Sequence, residues 1–224
     1  MTHVLKEASP IDAKTIDAFR NLDVATVYEA SGRKGYVESA IKPAFPGNRI
    51  CGPAFTVQCA PGDNLMLHKA LQRAPAGCVL VANVGGLYEY GYWGGMMAVA
   101  AMSRGIAGLA IDGCIRDSVE MAKMGFKVFC RGFSIRGTVK TNLGLINYPV
   151  NFGQMTVFPG DLILGDEDGM VVVRAEDAEA VLEKSLKRVA FEEAKSAQLA
   201  SGVTSVELND LEKVFGALGL VEEY

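Results

Sequence analysis

Two adjacent charges close an apolar run near the middle of the chain: Arg116 and Asp117, the last residues of WGGMMAVAAMSRGIAGLAIDGCIRD, positions 93–117. Charged side chains seldom follow an apolar strand unless something pairs with them. Asp117 supplies the oxygen anion that a hard divalent cation such as Mg²⁺ or Mn²⁺ takes, with water filling the remaining positions. Arg116 supplies a planar fork that matches a carboxylate bidentately and also stabilises an enolate. The competing interpretation is a surface salt bridge in which Asp117 caps a helix beginning at Ser118. Upstream, Gly94 and Gly95 precede a helix expected to open at Met96. Glycines there permit close approach of a ligand to the free N–H groups of a first helical turn, though a tight turn explains them as well.

Other chemistry-bearing residues read more plainly. His68 falls on an expected helix face, where a packed or hydrogen-bonded histidine is the commoner case. Asp161, Asp166 and Asp168 each adjoin Gly or a Pro-Gly punctuation and suit turns. Glu192 and Glu193 lie on a long charged helix and read as a solvated face, unless that helix carries one of them to a neighbouring subunit.

Several function classes are excluded. No G-x-x-x-x-G-K-[ST] occurs, no G-x-G-x-x-G joins a strand to a helix, and there is no G-x-S-x-G elbow. With two histidines, His3 and His68, a multi-histidine zinc site within one chain is ruled out. The five cysteines are odd in number and contain no C-x-x-C pair, so disulfides are disfavoured and a reducing cytoplasm favoured. A net charge of -4 and the lack of any basic run argue against nucleic acid as the main ligand. The N-terminus has no signal pattern, and the longest apolar run, near 94–101, is too short and glycine-rich to span a bilayer, so a soluble protein without membrane contact is expected.

The elements that must position the Arg-Asp pair follow from periodicity. Residues 10–31 read as helical, with Asp12 or Thr15 as cap; 50–59 alternates as a strand, and Leu65–Arg73 suits a short helix. A buried strand over 78–84 feeds a glycine- and aromatic-rich loop, 85–95, of a kind used at binding sites. Then come a helix over 96–104, a strand over 106–111, the DGCIRD loop, a helix over Ser118–Met124 stopping at Gly125, and a strand over 127–130. Short strands and turns follow from Val139: 148–152, 155–157, 162–164 and MVVVR. The long charged helix covers 175–199, and a second amphipathic stretch covers 206–218. The pattern predicts an α/β layered core in one domain, 1–224, with 176–224 a helical arm whose apolar stripe packs on a neighbouring subunit.

The segments ATVYEASGR, PGDNLMLHKAL, GYWGGMMAVAA, RGIAGLAIDGCIRD, RGTVKTNLG, PGDLILGDEDGMVVV and FEEAKSAQLASGV together resemble the class II pyruvate aldolases. These enzymes cleave 4-hydroxy-4-methyl-2-oxoglutarate and 4-carboxy-4-hydroxy-2-oxoadipate, and belong to the RraA-like superfamily, which also includes the protein regulator of RNase E. The resemblance covers nearly the whole chain. It implies a layered β/β/α fold assembled as a trimer, or as a hexamer of two trimers. It also implies a divalent cation, Mg²⁺ or Mn²⁺, held by Asp117 and waters, and a 2-oxo acid bound by Arg116 beside Gly94 and Gly95, with the N–H groups of Met96 and Met97 assisting.

The chain departs from the resemblance at two places. The family signature is an acidic residue, twenty intervening residues, then Arg-Asp; counting back from Arg116 places the acidic position on Gly95. A glutamate that relatives send from a neighbour's C-terminal helix aligns with Ala194, next to Glu192 and Glu193. Retro-aldol cleavage must remove a hydroxyl proton and so needs a base, whereas oxaloacetate decarboxylation needs only an electron sink. Decarboxylation is therefore expected to survive better than aldol cleavage, Gly95→Asp to favour aldol cleavage, and Glu89 to be a candidate substitute base. Two alternatives stay open: other enolate chemistry on the same scaffold (tautomerase, isomerase or hydratase), and a non-catalytic binding regulator.

Overall fold

The computed structural model describes residues 2–8 and 11–223. Four short runs rich in Val, Ile, Leu and Ala form its parallel centre: Ile50–Gln58, Val79–Asn83, Gly108–Asp112 and Val128–Cys130. They are buried along almost their whole length, as parallel strands covered on both faces must be. Ala54 pairs with Val79, Val79 with Gly108, and Leu109 with Val128, so the C-terminal ends of the strands finish near one another. An antiparallel hairpin, Leu162–Asp166 and Gly169–Val173, extends the sheet beyond Ile50–Gln58. At the opposite edge Lys42–Pro43 pairs with Val128–Cys130 and also contacts Gly169–Val173, so the sheet curls almost into a barrel.

Among the described residues eight α-helices surround it. They are α1 (Ala13–Phe19), α2 (Val24–Ala30), α3 (Leu65–Arg73), α4 (Gly95–Ser103), α5 (Ser118–Met124), α6 (Ala178–Ala200), α7 (Ser205–Leu208) and α8 (Leu211–Leu218). Three apolar clusters result. One packs α3, α4 and α5 on one face of the parallel strands through Leu67, Ala98, Ala101 and Met121. A second fills the curled sheet around Phe129, Phe152, Val81 and Ile163. The third seats α1, α2 and the start of α6 on the hairpin through Phe19, Val27, Val171 and Val181. This is the layered α/β architecture the residue pattern predicts, with the helical C-terminal arm in place.

Local departures have local causes. The helical segment expected over 10–31 begins outside the described residues at Pro10, and it is two helices. Asp12 caps α1 through Lys14 N–H at 3.0 Å, while Thr15 is buried inside it. Arg49 fastens the break, donating to the carbonyls of Arg20 and Leu22 and to Asp23. The amphipathic stretch expected over 206–218 is likewise broken, at Asn209–Asp210, where Asp210 adopts φ 53°. A Thr204–Glu207 capping box starts α7. No helix among the described residues is long and apolar enough to cross a membrane.

Candidate active site

The loops that leave Val79–Asn83 and Gly108–Asp112 meet beyond the C-terminal ends of these parallel strands, where open α/β sheets place their ligands. Several backbone bonds join them. Arg116 N–H donates to Trp93 C=O at 2.8 Å and Tyr92 N–H to Cys114 C=O at 3.1 Å, while Gly91 N–H ties the first loop to the loop after Val128–Cys130 through Arg136 C=O at 2.8 Å. Trp93 is fully buried and stacks on Phe126, with ring centroids 5.9 Å apart. The Tyr92 hydroxyl receives Gly62 N–H at 2.8 Å and donates to Leu87 C=O at 2.7 Å. The glycine- and aromatic-rich loop is thus held rigidly against the Arg-Asp pair.

Asp117 does not cap the helix it precedes. It stands at the N-cap of α5, yet no side-chain bond to α5 forms. Its Oδ2 instead accepts the N–H of Gly95, the first residue of α4, at 3.0 Å. Its backbone lies in the left-handed region, φ 58° and ψ 37°, a conformation that costs a non-glycine residue about 1 kcal/mol and clusters at functional positions. Gly94 is required by the same approach: a Cβ there would lie 2.5 Å from Asp117 Oδ2. Neither charge is buried. The Arg116 and Asp117 side chains are 50% and 42% exposed and only 3.9 Å apart at Nε and Oδ2, a loose pair that leaves the guanidinium fork available. The expectation of two charges in apolar surroundings therefore holds for Ile115, fully buried behind them, and not for the pair.

A cleft of about 280 Å³ opens in front of Arg116 and Asp117. Gly94, Met96 and Met97 line it, as do Asn64, His68, Thr138 and Lys140. Met96 is 82% exposed, and its N–H makes no hydrogen bond among the described residues. The Met97 N–H, by contrast, is bonded to Gly94 C=O at 3.0 Å, so one free amide rather than two faces the cleft. Asn64 is almost fully buried, its Nδ2 bonded to Tyr92 C=O at 2.9 Å and its Oδ1 without a partner. His68 is exposed on the cleft wall, and partial burial together with the Lys140 cation holds its pKa below the ordinary histidine value.

Other candidates lie elsewhere. Glu89 is exposed but does not line the cleft. Asp161 is buried and binds Arg174 at 2.8 Å, Asp166 accepts Val24 N–H at 2.8 Å, and Asp168 continues that turn. Glu192 pairs with Arg188 at 2.7 Å, lining a larger cavity of about 580 Å³ between α2, α6 and the 166–168 turn. That cavity contains none of the Arg-Asp machinery, and the smaller cleft is the better chemical candidate. Lys140, Thr138 and Asn64 are cleft residues that sequence reasoning did not single out. RGTVKTNLG held Thr138 and Lys140, and PGDNLMLHKAL held Asn64, within the segments that carry the resemblance.

The donors suit a hard cation. Asp117 Oδ1 makes no hydrogen bond among the described residues, whereas all five thiols are buried and unsuited to a soft metal. No group of three or more His, Cys, Asp or Glu side chains among the described residues forms a cage. One or two carboxylates completed by water and substrate oxygens is the arrangement Mg²⁺ accepts.

The family model described as RraA-like, Aldolase/RraA, matches residues 13–172. The chain belongs to the RraA-like family. Among its RraA-like relatives is a Halalkalibacterium halodurans protein, 36% identical over 191 residues that cover 85% of this chain and 91% of that one, named "Putative 4-hydroxy-4-methyl-2-oxoglutarate aldolase". A Burkholderia mallei protein of the same name is 32% identical over 69% of this chain and 94% of its own. An uncharacterized Pseudomonas syringae pv. tomato structure superposes with a TM-score of 0.81, at 29% identity, over 90% of this chain and all of that one. Streptomyces coelicolor RraAS2, described as an unusual member of the RNase ES inhibitor RraA protein family, gives 0.76 at 26% identity, over 84% of this chain and 98% of its own.

Proposed function

We propose that this RraA-like chain is a divalent-cation-dependent carbon–carbon lyase acting on 2-oxo acids. It would release pyruvate by retro-aldol cleavage of 4-hydroxy-2-oxo acids, by decarboxylation of oxaloacetate, or by both. The observation that carries this reading is the diversion of Asp117: on a strained backbone it gives up its own helix cap and points its carboxylate at the start of α4, beside an uncommitted Arg116 fork. The aldolase names of two relatives support it.

Asp117, and waters in the cleft, would hold the Mg²⁺ or Mn²⁺ ion. When bound, that ion supplies Lewis acidity that withdraws charge from the 2-oxo group. Arg116 grips the substrate carboxylate and faces charge developing on the adjacent oxygen. The Arg116 N–H bond to Trp93 C=O fixes the backbone from which the fork extends, while the half-exposed side chain is free to turn onto the substrate. The free Met96 N–H, at the positive end of α4, adds a fixed dipole on the same side. Lys140 adds positive charge to the cleft wall, where an anionic distal group of the substrate can lie. Trp93 and Ile115, both fully buried, anchor the chain on either side of the pair in the core.

The whole chain, 1–224, is read as one RraA-like domain. Residues 176–224 serve subunit contacts in a homotrimer or homohexamer, which fits the exposed Leu199, Val214 and Leu218 of the arm. Pyruvate release from oxaloacetate and from 4-hydroxy-4-methyl-2-oxoglutarate, with Mg²⁺ and with chelator, tests the reading. Chelator-sensitive release is expected. No turnover of any 2-oxo acid, together with tight binding to an RNase E-type partner, would replace the lyase reading with a regulatory one.

A further inference from the structure

Gly95 opens α4 without a side chain, yet the space its side chain would take is filled. A Cβ on Gly95 would lie 2.6 Å from Oε2 and 2.9 Å from Cδ of Glu120. Glu120 is the third residue of α5, so Asp117-Ser-Val-Glu120 has the spacing of a capping box, in which both side chains bond the backbone of their own helix. Neither does. Asp117 turns to the Gly95 N–H, and Glu120 is exposed, laid over Gly95, with no hydrogen bond or ion pair among the described residues.

Two carboxylates that abandon one helix cap therefore converge on adjacent residues, Gly94 and Gly95, at the start of another helix. Asp117 and Glu120 line one open surface pocket beside the cleft, and Asp117 lines the cleft as well, so Glu120 reaches the cleft through Asp117. Arg116 stands 3.9 Å from Asp117 and is loosely held, and Lys123 lines the pocket without an ion pair to either carboxylate among the described residues. With no helix cap to make, both carboxylates are left open to a mobile cation.

We infer that Glu120 is the second acidic group of this site, a positioning residue acting with Asp117 on the divalent cation and its water. The inference rests on the lyase reading and assigns the proton-handling step within it. In retro-aldol cleavage the 4-hydroxyl loses its proton, the C3–C4 bond breaks, and the bonding pair enters the pyruvate enolate; a proton then returns to C3. Glu120 takes the hydroxyl proton through an intervening water and gives one back, so no further reactant is needed. Decarboxylation has no hydroxyl proton to remove and depends on Glu120 less. The inference also predicts the opposite of one sequence expectation. Gly95→Asp in the native chain displaces the flexible Glu120 carboxylate from its place, so on this inference it should weaken rather than improve aldol cleavage.

The test is Mn²⁺ binding followed by electron paramagnetic resonance, with both reactions measured on the full chain and on Glu120→Gln, Glu120→Asp, Asp117→Asn and the double variant Gly95→Asp/Glu120→Ala. Loss of a carboxylate that supports a metal site costs about 10–100-fold in affinity or activity. Glu120→Gln should weaken Mn²⁺ binding about tenfold and slow aldol cleavage at least about tenfold more than decarboxylation. Glu120→Asp should recover part of the loss, and the double variant should regain aldol cleavage relative to Glu120→Gln. The inference is overturned if Glu120→Gln binds Mn²⁺ and cleaves within about twofold of the native chain while Asp117→Asn abolishes both. A native chain that neither binds Mn²⁺ nor releases pyruvate overturns the lyase reading itself, and that result is distinguishable because Asp117→Asn then changes nothing.

Discussion

Replacing Gly94 with Ala should separate the fold of this chain from its chemistry. At φ -148° the Gly94 backbone is extended and accepts any side chain without strain. The difficulty is one contact: the new Cβ would stand 2.5 Å from Asp117 Oδ2, against an ordinary contact of 3.4 Å, so the carboxylate must retreat by 3.4 − 2.5 = 0.9 Å. That movement lengthens or breaks its 3.0 Å bond from Gly95 N–H. Misplacing a reacting group by about 1 Å can cost about 100-fold in rate, equivalent to about 2.7 kcal/mol of transition-state stabilisation. Folding stability should fall by only about 1 kcal/mol, because the bond lost is half exposed. The assay is kcat/KM for Mg²⁺-dependent pyruvate release, alongside urea unfolding. Gly216→Ala in α8, where a Cβ meets nothing within 4 Å, is the control expected to leave activity unchanged. If Gly94→Ala retains activity within about threefold, Asp117 is not held where the geometry requires, and the reasoning about this pair fails.

Asp117→Asn should fold normally, since Asn tolerates the left-handed backbone and still accepts the Gly95 N–H, but lose Mn²⁺ binding by at least about tenfold in a direct titration. Arg131→Leu should destabilise the chain by about 3 kcal/mol in urea unfolding, since Arg131 bonds the nearly buried Asp112 and lies 2.6 Å from Glu38, leaving both carboxylates unpaired. The hydrogen bond from Arg131 is the largest cause holding the Glu38 pKa below the ordinary glutamate value, with Gln154 adding to it, so its contribution is present above about pH 4.3 and lost as pH falls through the lower folded value; in Arg131→Leu this acid-side dependence should shrink in the stability profile. Burial pushes the thiols of Cys59, Cys78 and Cys130 up to about 12, so they should resist a thiol reagent at pH 8 in the folded chain and react at once in denaturant.

The Arg116-Asp117 pair was legible because it ends a buried parallel strand and no motif for another chemistry competes with it. The parallel centre was legible for a similar reason: short β-branched runs alternate with helical ones. Lys140 and Asn64 were not, since they reach the cleft through loops distant in sequence, and nothing in a lone Lys or Asn declares its neighbours. Glu120 was hidden differently. Its spacing from Asp117 is that of an ordinary helix cap, and only the direction of the two side chains shows that no cap is made. The break between α1 and α2 escaped notice because Arg49, nearly thirty residues away, fastens it. Periodicity reads along one element, and these features are set between elements.

The left-handed backbone at Asp117 also bears on how such a chain can change over generations. At φ 58° few residues are comfortable, chiefly Gly, Asn and Asp, and of these only Asp carries charge. A single base change converts an Asp codon into one for Asn or Gly. The strand, the turn and α5 would survive either change, while the charge that makes the cleft reactive would disappear. A fold built this way can be disarmed without being dismantled, which leaves an intact surface free to be selected for holding another molecule instead of transforming one.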